Sequence, residues 1–414
     1  MKIVILGAGI VGTCAAHAAL DAGHDVVILD RDGPAGGTSQ GNAGWIAHID
    51  IEPLASPKVW RMIPRWLVDP LGPLAIRPAY LPKLAPWLWR FLAASRPGAL
   101  AANARALIAL QLAALPAWER RLETLGLTRH LHRSGCLSVW PDAGALAAAA
   151  PVIARQQEFG IPVEVLDQAQ VRALEPALSG EIAGGALYAT GCHVSDPRHI
   201  TVALAASAVE RGARLVREEA VAPVPGPDAV TIRCGSGENH DADRVVLALG
   251  AWSRPLAAML GDHVPLDTER GYNITLPRGT LGLQRPVNFE TQGFVTTPLD
   301  TGDRVGGAVE FGGLNAPPNY ARVDAILARL RRFLPHLPEM PGTRWMGFRP
   351  SIPDSLPVIG TARRDPRVIL AFGHGHYGLT QAAVTAEMVL ALIDGKPPPL
   401  DLAPYSPRRF ERNG

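Results

Sequence analysis

Arg349 stands in an apolar stretch between prolines, within Gly347-Phe348-Arg349-Pro350-Ser351-Ile352-Pro353-Asp354. A solvated arginine is unexpected there. Its planar guanidinium can offer two parallel N–H bonds to a carboxylate. Such a residue reads either as an anion receptor or as half of a structural ion pair. At the other end of the chain, Gly7, Gly9 and Gly12 form G-x-G-x-x-G directly after the apolar run Ile3 to Leu6. Asp30 closes the next apolar run, eighteen residues after Gly12. Gly7 permits a tight turn, Gly9 lets backbone approach a pyrophosphate, and Gly12 lets helix pack on strand. Asp30 would accept hydrogen bonds from ribose hydroxyls and repel a 2′-phosphate. The alternative is an ordinary αβ turn that happens to hold three glycines.

These residues need a strand–turn–helix–strand frame, and the surrounding pattern supplies one. Ile3 to Leu6 reads as a buried parallel strand, Thr13 to Ala22 as a helix stopped by Gly23, and Val26 to Leu29 as the next strand. The helix N-terminus then offers free N–H groups and a positive dipole end to phosphates. The loop Arg31-Asp-Gly-Pro-Ala-Gly-Gly-Thr38-Ser39-Gln-Gly-Asn42-Ala43-Gly44 is rich in small residues that suit close approach to a cofactor. A bland flexible loop is the competing reading. Near the C-terminus, Gly373-His374-Gly375-His376-Tyr377-Gly378-Leu379-Thr380 opens a final helix reaching Ile393. That helix N-terminus can stabilise negative charge on a reduced cofactor ring. Otherwise its glycines make only a tight turn. His374 and His376 have no third ligand at helpful spacing, so no metal is expected.

Bulk properties narrow the class. At 414 residues, two domains are the soft prior. With 47% apolar and 19% charged residues, the composition fits a globular α/β enzyme, and a net charge of +2 gives no argument for nucleic acid. Cys14, Cys136, Cys192 and Cys234 are scattered without a C-x-x-C, which fits a reducing compartment. Residues 1–20 look superficially like a signal peptide, but their removal would delete the glycine fingerprint. No uninterrupted apolar run reaches the ~18–20 residues needed to span a bilayer. The expected location is the cytoplasm or the cytoplasmic face of a membrane.

Residues 53–98 alternate Pro and Trp with apolar and basic residues. Trp66, Trp87 and Trp89 with flanking Arg and Lys read either as an interfacial membrane anchor or as cover for a second core. Residues 99–126 read as one long helix, 137–140 as a short strand, and 144–159 and 198–211 as helices. Residues 214–217 and 220–221 look like a strand returning to the nucleotide unit, with further strands at 230–234 and 243–249. Val221 and Gly250, on these returning strands, join the expected cofactor-binding set. Between 264 and 315 short β-like runs dominate and read as a mostly antiparallel sheet. A helix follows over 322–333.

The nucleotide unit is thus discontinuous. A nicotinamide dehydrogenase commonly completes its dinucleotide fold in one stretch, so a split Rossmann fold with a β-rich insertion fits a flavoprotein better. Several segments carry a family resemblance: Gly37-Thr38-Ser39-Gln-Gly-Asn42-Ala43-Gly44, Glu269-Arg-Gly271-Tyr272, Gly347-Phe-Arg349-Pro with Pro353-Asp354 and Pro357-Val-Ile-Gly360, and Gly373-His-Gly375-x-x-Gly378. The chain resembles the D-amino-acid oxidase and glycine oxidase superfamily. Within it, the D-amino-acid dehydrogenase small subunit and its D-hydroxyproline dehydrogenase relatives are most similar. Gln40, Gly41 and Trp45 depart from the dehydrogenase pattern.

The resemblance implies an α/β fold with a discontinuous Rossmann-like FAD-binding domain (1–52, 195–262 and 344–414). It also implies an α+β substrate domain (53–194 and 263–343). It implies noncovalent FAD, bound by Gly7, Gly9, Gly12, Asp30, Arg31, Thr38, Ser39, Asn42, Ala43, Gly44, Val221, Gly250, Gly373, His374, Gly375, Gly378, Leu379 and Thr380. It assigns Arg349 to the substrate α-carboxylate and a tyrosine near it, carried over to Tyr272. A buried core tyrosine is the competing reading for Tyr272. His48 and Glu310 are weaker pocket candidates, for which a structural role is favoured. The expected reaction is hydride transfer from Cα–H of a D-amino acid or cyclic imino acid to flavin N5. Electrons would then pass to a quinone or a carrier protein. A sarcosine- or glycine-type oxidase is the rival enzyme, and a nucleotide-binding structural subunit the rival without turnover.

Overall fold

The computed structural model describes residues 1–55 and 71–411. Trp66 lies outside the described residues. Lys2–Leu6 is the centre of a six-stranded sheet, with Asp25–Leu29 and Arg244–Leu247 parallel on its two sides. Ile3, Val4, Ile5 and Leu6 are all fully buried. A strand covered on both faces needs such a continuous apolar run. Arg214–Val216 extends the sheet beyond Asp25–Leu29, and Val368–Phe372 extends it beyond Arg244–Leu247. Val358–Thr361 closes that edge antiparallel. The sheet therefore gathers strands from distant parts of the chain. The helices Ile10–Asp21 and Gly378–Asp394 pack together through Ile10, Cys14 and Ala18 against Leu379, Ala382 and Ala386.

The second large sheet holds nine described strands, mostly antiparallel, with Thr343–Ser351 at its edge beside Asp267–Leu276 and then Gly302–Phe311. Its core includes Leu137, Ile274, Phe289, Phe294 and Phe333. The α/β architecture expected from the sequence is present, with two local differences. Thr343–Ser351, placed from 344 onward on the nucleotide side of the boundary, pairs with Asp267–Leu276 instead. Pro350 fits this position because an edge strand loses no ladder bond to a missing N–H. Ala220–Pro225 does not return to the parallel sheet with Arg214–Val216. It edges a separate three-stranded sheet with Val230–Cys234 and Asn239–Ala242. Pro223 and Pro225 again suit an edge.

The helix Pro97–Thr124 is long and apolar enough to cross a membrane by length and composition, with a window of mean hydropathy 1.4. It is nevertheless built into the core. Leu107, Leu110, Ala114 and Trp118 are buried, and the Trp118 indole donates to the carbonyls of Leu379 and Thr380. The two described tryptophans of the 53–98 segment divide between their two readings. Both lie on the helix Leu81–Ala94. Two residues apart on a helix is a rotation of about 200°, so they face opposite ways. Trp87 is buried, stacks on Phe91, meets Phe311 at a tilt, and donates to the Ser351 carbonyl. Trp89 is 70% exposed. Trp87→Ala is expected to cost about 3–5 kcal/mol, as a large aromatic lost from a core. Trp89→Ala should stay within about 0.5 kcal/mol. Thermal melts of both variants check this. Equal Tm values would return Trp87 to the surface reading.

Candidate active site

A cleft of about 870 Å³ runs between the two large sheets. That volume is at the upper end for small-molecule sites. Two helix N-termini border it, those of Ile10–Asp21 and Gly378–Asp394. Neither helix has an acidic residue in its first turn or a side-chain cap at its N-cap residue. Their positive ends therefore face the cleft with few internal partners, an arrangement suited to anionic groups.

The glycine turn has the close packing its spacing implies. Gly7 has φ +110°, and an added Cβ would lie 2.5 Å from the Ala248 carbonyl oxygen. A Cβ on Gly12 would fall on the Gly7 carbonyl. The Asp30 carboxylate accepts from the Ala8 amide at 2.7 Å and from the Asp32 and Gly33 amides at 2.8 Å. It thus locks the turn while bordering the cleft. Ser39 accepts from the Ile10 amide at 3.0 Å, Thr38 donates to the Phe348 carbonyl at 2.6 Å, and Asn42 accepts from the Gly44 amide. The loop from 37 to 44 thus bridges the two sheets. Arg31 pairs with Asp32 and Glu219 and lies over Trp252. Gly7, Gly9, Asp30, Arg31, Thr38, Ser39, Asn42, Ala43, Gly44, Val221, Gly250, His374, Gly375, Gly378 and Leu379 all line the cleft. Gly12, Gly373 and Thr380 do not. They act one layer behind: Gly12 at the helix–strand contact, Gly373 against Ile352, and Thr380 accepting from the Ala47 amide. The residues present suit a dinucleotide along one wall.

Arg349 lines the opposite wall. It faces Glu269 across the ladder, and Gly347 faces Gly271. Side chains alternate between sheet faces, so Arg349 shares a face with Gly271. The guanidinium lies over that glycine. A Cβ at 271 would sit 2.5 Å from its Cζ and Nη2. Arg349 donates to the Ala308 carbonyl at 3.0 Å and has no ion-pair partner among the described residues. Ala308 sits at a register shift between Asp267–Leu276 and Gly302–Phe311, with φ +55°. A non-glycine residue in that region is strained, by about 1–3 kcal/mol. Burial pulls the Arg349 pKa below its usual range, with the Glu269 charge working against that shift. An arginine stays protonated regardless. A fixed, charged and unpaired guanidinium in a cleft calls for an anion.

Tyr272 follows Gly271 and so points to the other face. It is 1% exposed, donates to Glu310 at 2.6 Å and accepts from the Asn319 amide. Glu310 in turn binds Arg77. Tyr272 borders the cleft, but its hydroxyl is committed to this buried cluster rather than turned towards Arg349. His48 is also elsewhere. It is absent from the cleft wall, with Nδ1 on the Ile46 carbonyl and Nε2 at 3.4 Å from the Thr190 hydroxyl. Burial lowers its pKa. His374 is buried against Thr385, and burial pushes it down to about 3, so it is neutral.

The cleft holds groups that spacing alone did not single out. His376 places Nε2 2.7 Å from the Glu269 carboxylate, which also accepts from Ser351. Burial would raise the Glu269 carboxyl, but His376, Ser351 and Arg349 together hold it below its ordinary range. Trp345 covers Gly347 and abuts Gly41, whose carbonyl accepts from Asn273. Asp50 lines the cleft and is exposed to it. Burial and the Glu290 charge push its carboxyl up to about 7. The signal for Glu269 lay in the strand period that aligns it with Gly271. Asp50 carries no sequence signal of its own, and His376, weighed in the sequence only as a metal ligand, carries none for its pairing with Glu269.

Known proteins are similar to this chain over nearly its whole length. The model of the FAD-dependent oxidoreductase family matches residues 2–392. A D-amino-acid oxidase of Bradyrhizobium diazoefficiens is 36% identical over 99% of this chain and 98% of its own length. A D-amino acid dehydrogenase of Dechloromonas aromatica is 32% identical over 96% of this chain and 98% of its own. Among solved structures, glycine oxidase from Geobacillus kaustophilus superposes with a TM-score of 0.77 at 22% identity, covering 99% of each chain. L-proline dehydrogenase from P. horikoshii gives 0.76 at 21%, covering 99% of this chain and 98% of that one. These two show the fold alone. The family match and the end-to-end relatives identify the expected cofactor as FAD, and this chain belongs to the FAD-dependent oxidoreductase family.

Proposed function

We propose that this chain oxidises D-amino acids at Cα, with Arg349 holding the α-carboxylate. The observation that carries the reading is the unpaired guanidinium laid over Gly271 in the cleft. The choice of D-amino acids is supported by the two relatives above, which are named for them. When bound, FAD supplies the two-electron acceptor for the hydride leaving Cα.

The chain's own residues orient the substrate and take a proton. The Arg349 fork fixes the carboxylate plane, and with it the direction of Cα–H. Such positioning can lower a barrier by ~7–11 kcal/mol. Hydride loss also needs a neutral amine. Glu269 is held as a carboxylate, which only accepts hydrogen bonds, so Nε2 of His376 carries the hydrogen between them. In its neutral form the ring would keep a lone pair on Nδ1, which receives the proton of the substrate ammonium. Arg349 and His376 flank the same Glu269, as the carboxylate and amine of one amino acid require. The imine formed hydrolyses to a 2-oxo acid and ammonia, or stays cyclic if the substrate is proline-like. We place the enzyme in the cytoplasm, passing electrons to a quinone or carrier protein. Trp89, Lys83 and Arg90, all exposed on one helix, support a peripheral membrane contact for that step.

Two variants test these roles. Arg349→Lys keeps the charge but loses the fork. It should retain FAD and lose about 2–4 kcal/mol in kcat/KM, roughly 30- to 1000-fold, for D-amino acids. Amines lacking the carboxylate should be nearly indifferent. An anaerobic flavin-bleaching assay reads both, and wild-type turnover of D-amino acids would make Arg349 structural. His376→Asn should slow turnover at neutral pH and recover once pH exceeds the substrate ammonium's own pKa. A loss that is the same at every pH would remove His376 from proton transfer.

A further inference from the structure

We propose that Asp50 selects the substrate side chain, pairing with an ammonium or guanidinium at its end, so that the preferred substrates are dibasic D-amino acids. This inference rests on the reading of Arg349 as the α-carboxylate receptor.

Asp50 is firmly placed and chemically free. Its amide donates to the Ala47 carbonyl at 3.1 Å, and its carbonyl accepts from Gln111 at 3.0 Å. Its carboxylate lines the cleft and has no hydrogen-bond or ion-pair partner among the described residues. The cations of the cleft wall are otherwise engaged. Arg31 pairs with Asp32 and Glu219, and Arg304 with Asp196. Arg349 is reserved for the α-carboxylate. The neighbouring Glu290 adds negative charge and is already bonded to Ser138 and Asn288.

Asp50 also lies within electrostatic reach of the reacting end. The buried Tyr377, which follows His376, has its phenol raised by burial first and then by the charges of both Asp50 and Glu269. The cleft therefore carries an unpaired cation at Arg349 and an unpaired carboxylate at Asp50. Cofactor and substrate entering the cleft expel water. A carboxylate stripped of water without a partner is costly, and an apolar side chain would leave Asp50 in that state. A cationic side chain resolves it with a charge-assisted hydrogen bond.

The test compares D-lysine with D-norleucine, which share a four-carbon side chain and differ in the terminal ammonium. For the wild-type holoenzyme, kcat/KM should favour D-lysine at least tenfold, and Asp50→Asn should bring the ratio near one. A wild-type ratio near one, or a ratio unchanged in Asp50→Asn, overturns the proposal. Equal losses on both substrates would assign Asp50 to the α-ammonium and also overturn it. A binding titration separates this inference from the reading beneath it. 6-Aminohexanoate and hexanoate both carry the carboxylate and neither has an α-amine. Followed by flavin absorbance, the wild type should bind 6-aminohexanoate at least tenfold tighter than hexanoate, and Asp50→Asn should lose the difference. If no D-amino acid bleaches the flavin, the proposed function fails while this titration still decides on Asp50. Equal binding of the two acids overturns the role of Asp50 even if D-amino acids are turned over.

Discussion

A half-buried guanidinium held in a cleft without a carboxylate to pair it is the constraint around which the site is arranged. Such a charge is expensive unless an anion arrives, and it must not collapse onto a neighbour meanwhile. Gly271 keeps the backbone beneath it bare, so the guanidinium lies flat over that strand, while Trp345 covers Gly347 beside it. Ala308, turned to φ +55° at the register shift, aims one carbonyl at it. The edge position of Thr343–Ser351 leaves the Arg349 face next to the cleft rather than inside the core. Glu269 is near enough to temper the charge without forming an ion pair with it.

The same logic organises the rest of the cleft. The two helix N-termini, neither capped by its own N-cap side chain, suit the anionic parts of the dinucleotide on one wall. Asp30 holds the glycine turn in shape, and the loop from 37 to 44 ties that wall to the second sheet through Thr38 and Phe348. Cofactor wall and substrate wall are therefore fixed relative to each other by hydrogen bonds between the sheets.

The glycine fingerprint, Asp30 and Arg349 were legible in the sequence because each is a local signal: a spacing after an apolar run, or a charge among prolines. Tyr272 was not. Whether it or Gly271 shares a face with Arg349 is decided by strand register, and one residue reverses the face. His48 looked available but is two residues beyond the Ile46 carbonyl that captures its ring. The His376–Glu269 pair joins residues 107 apart, which no spacing rule reveals. Asp50 stands out only once the cleft wall around it is known. The reading of 220–221 as a strand of the parallel sheet failed for a related reason. Strand propensity locates a strand but does not choose its partner.

The most direct measurement is the reductive half-reaction of Gly271→Ala holoenzyme. An added methyl would occupy the space of the Arg349 guanidinium and displace it without removing any charge. Anaerobic bleaching of the flavin by a D-amino acid should slow by at least tenfold, while a decarboxylated amine of the same chain should reduce the flavin as it does in wild type. Wild-type bleaching by the D-amino acid in a variant with full FAD content would contradict the account, because the carboxylate would then be held somewhere other than on Arg349.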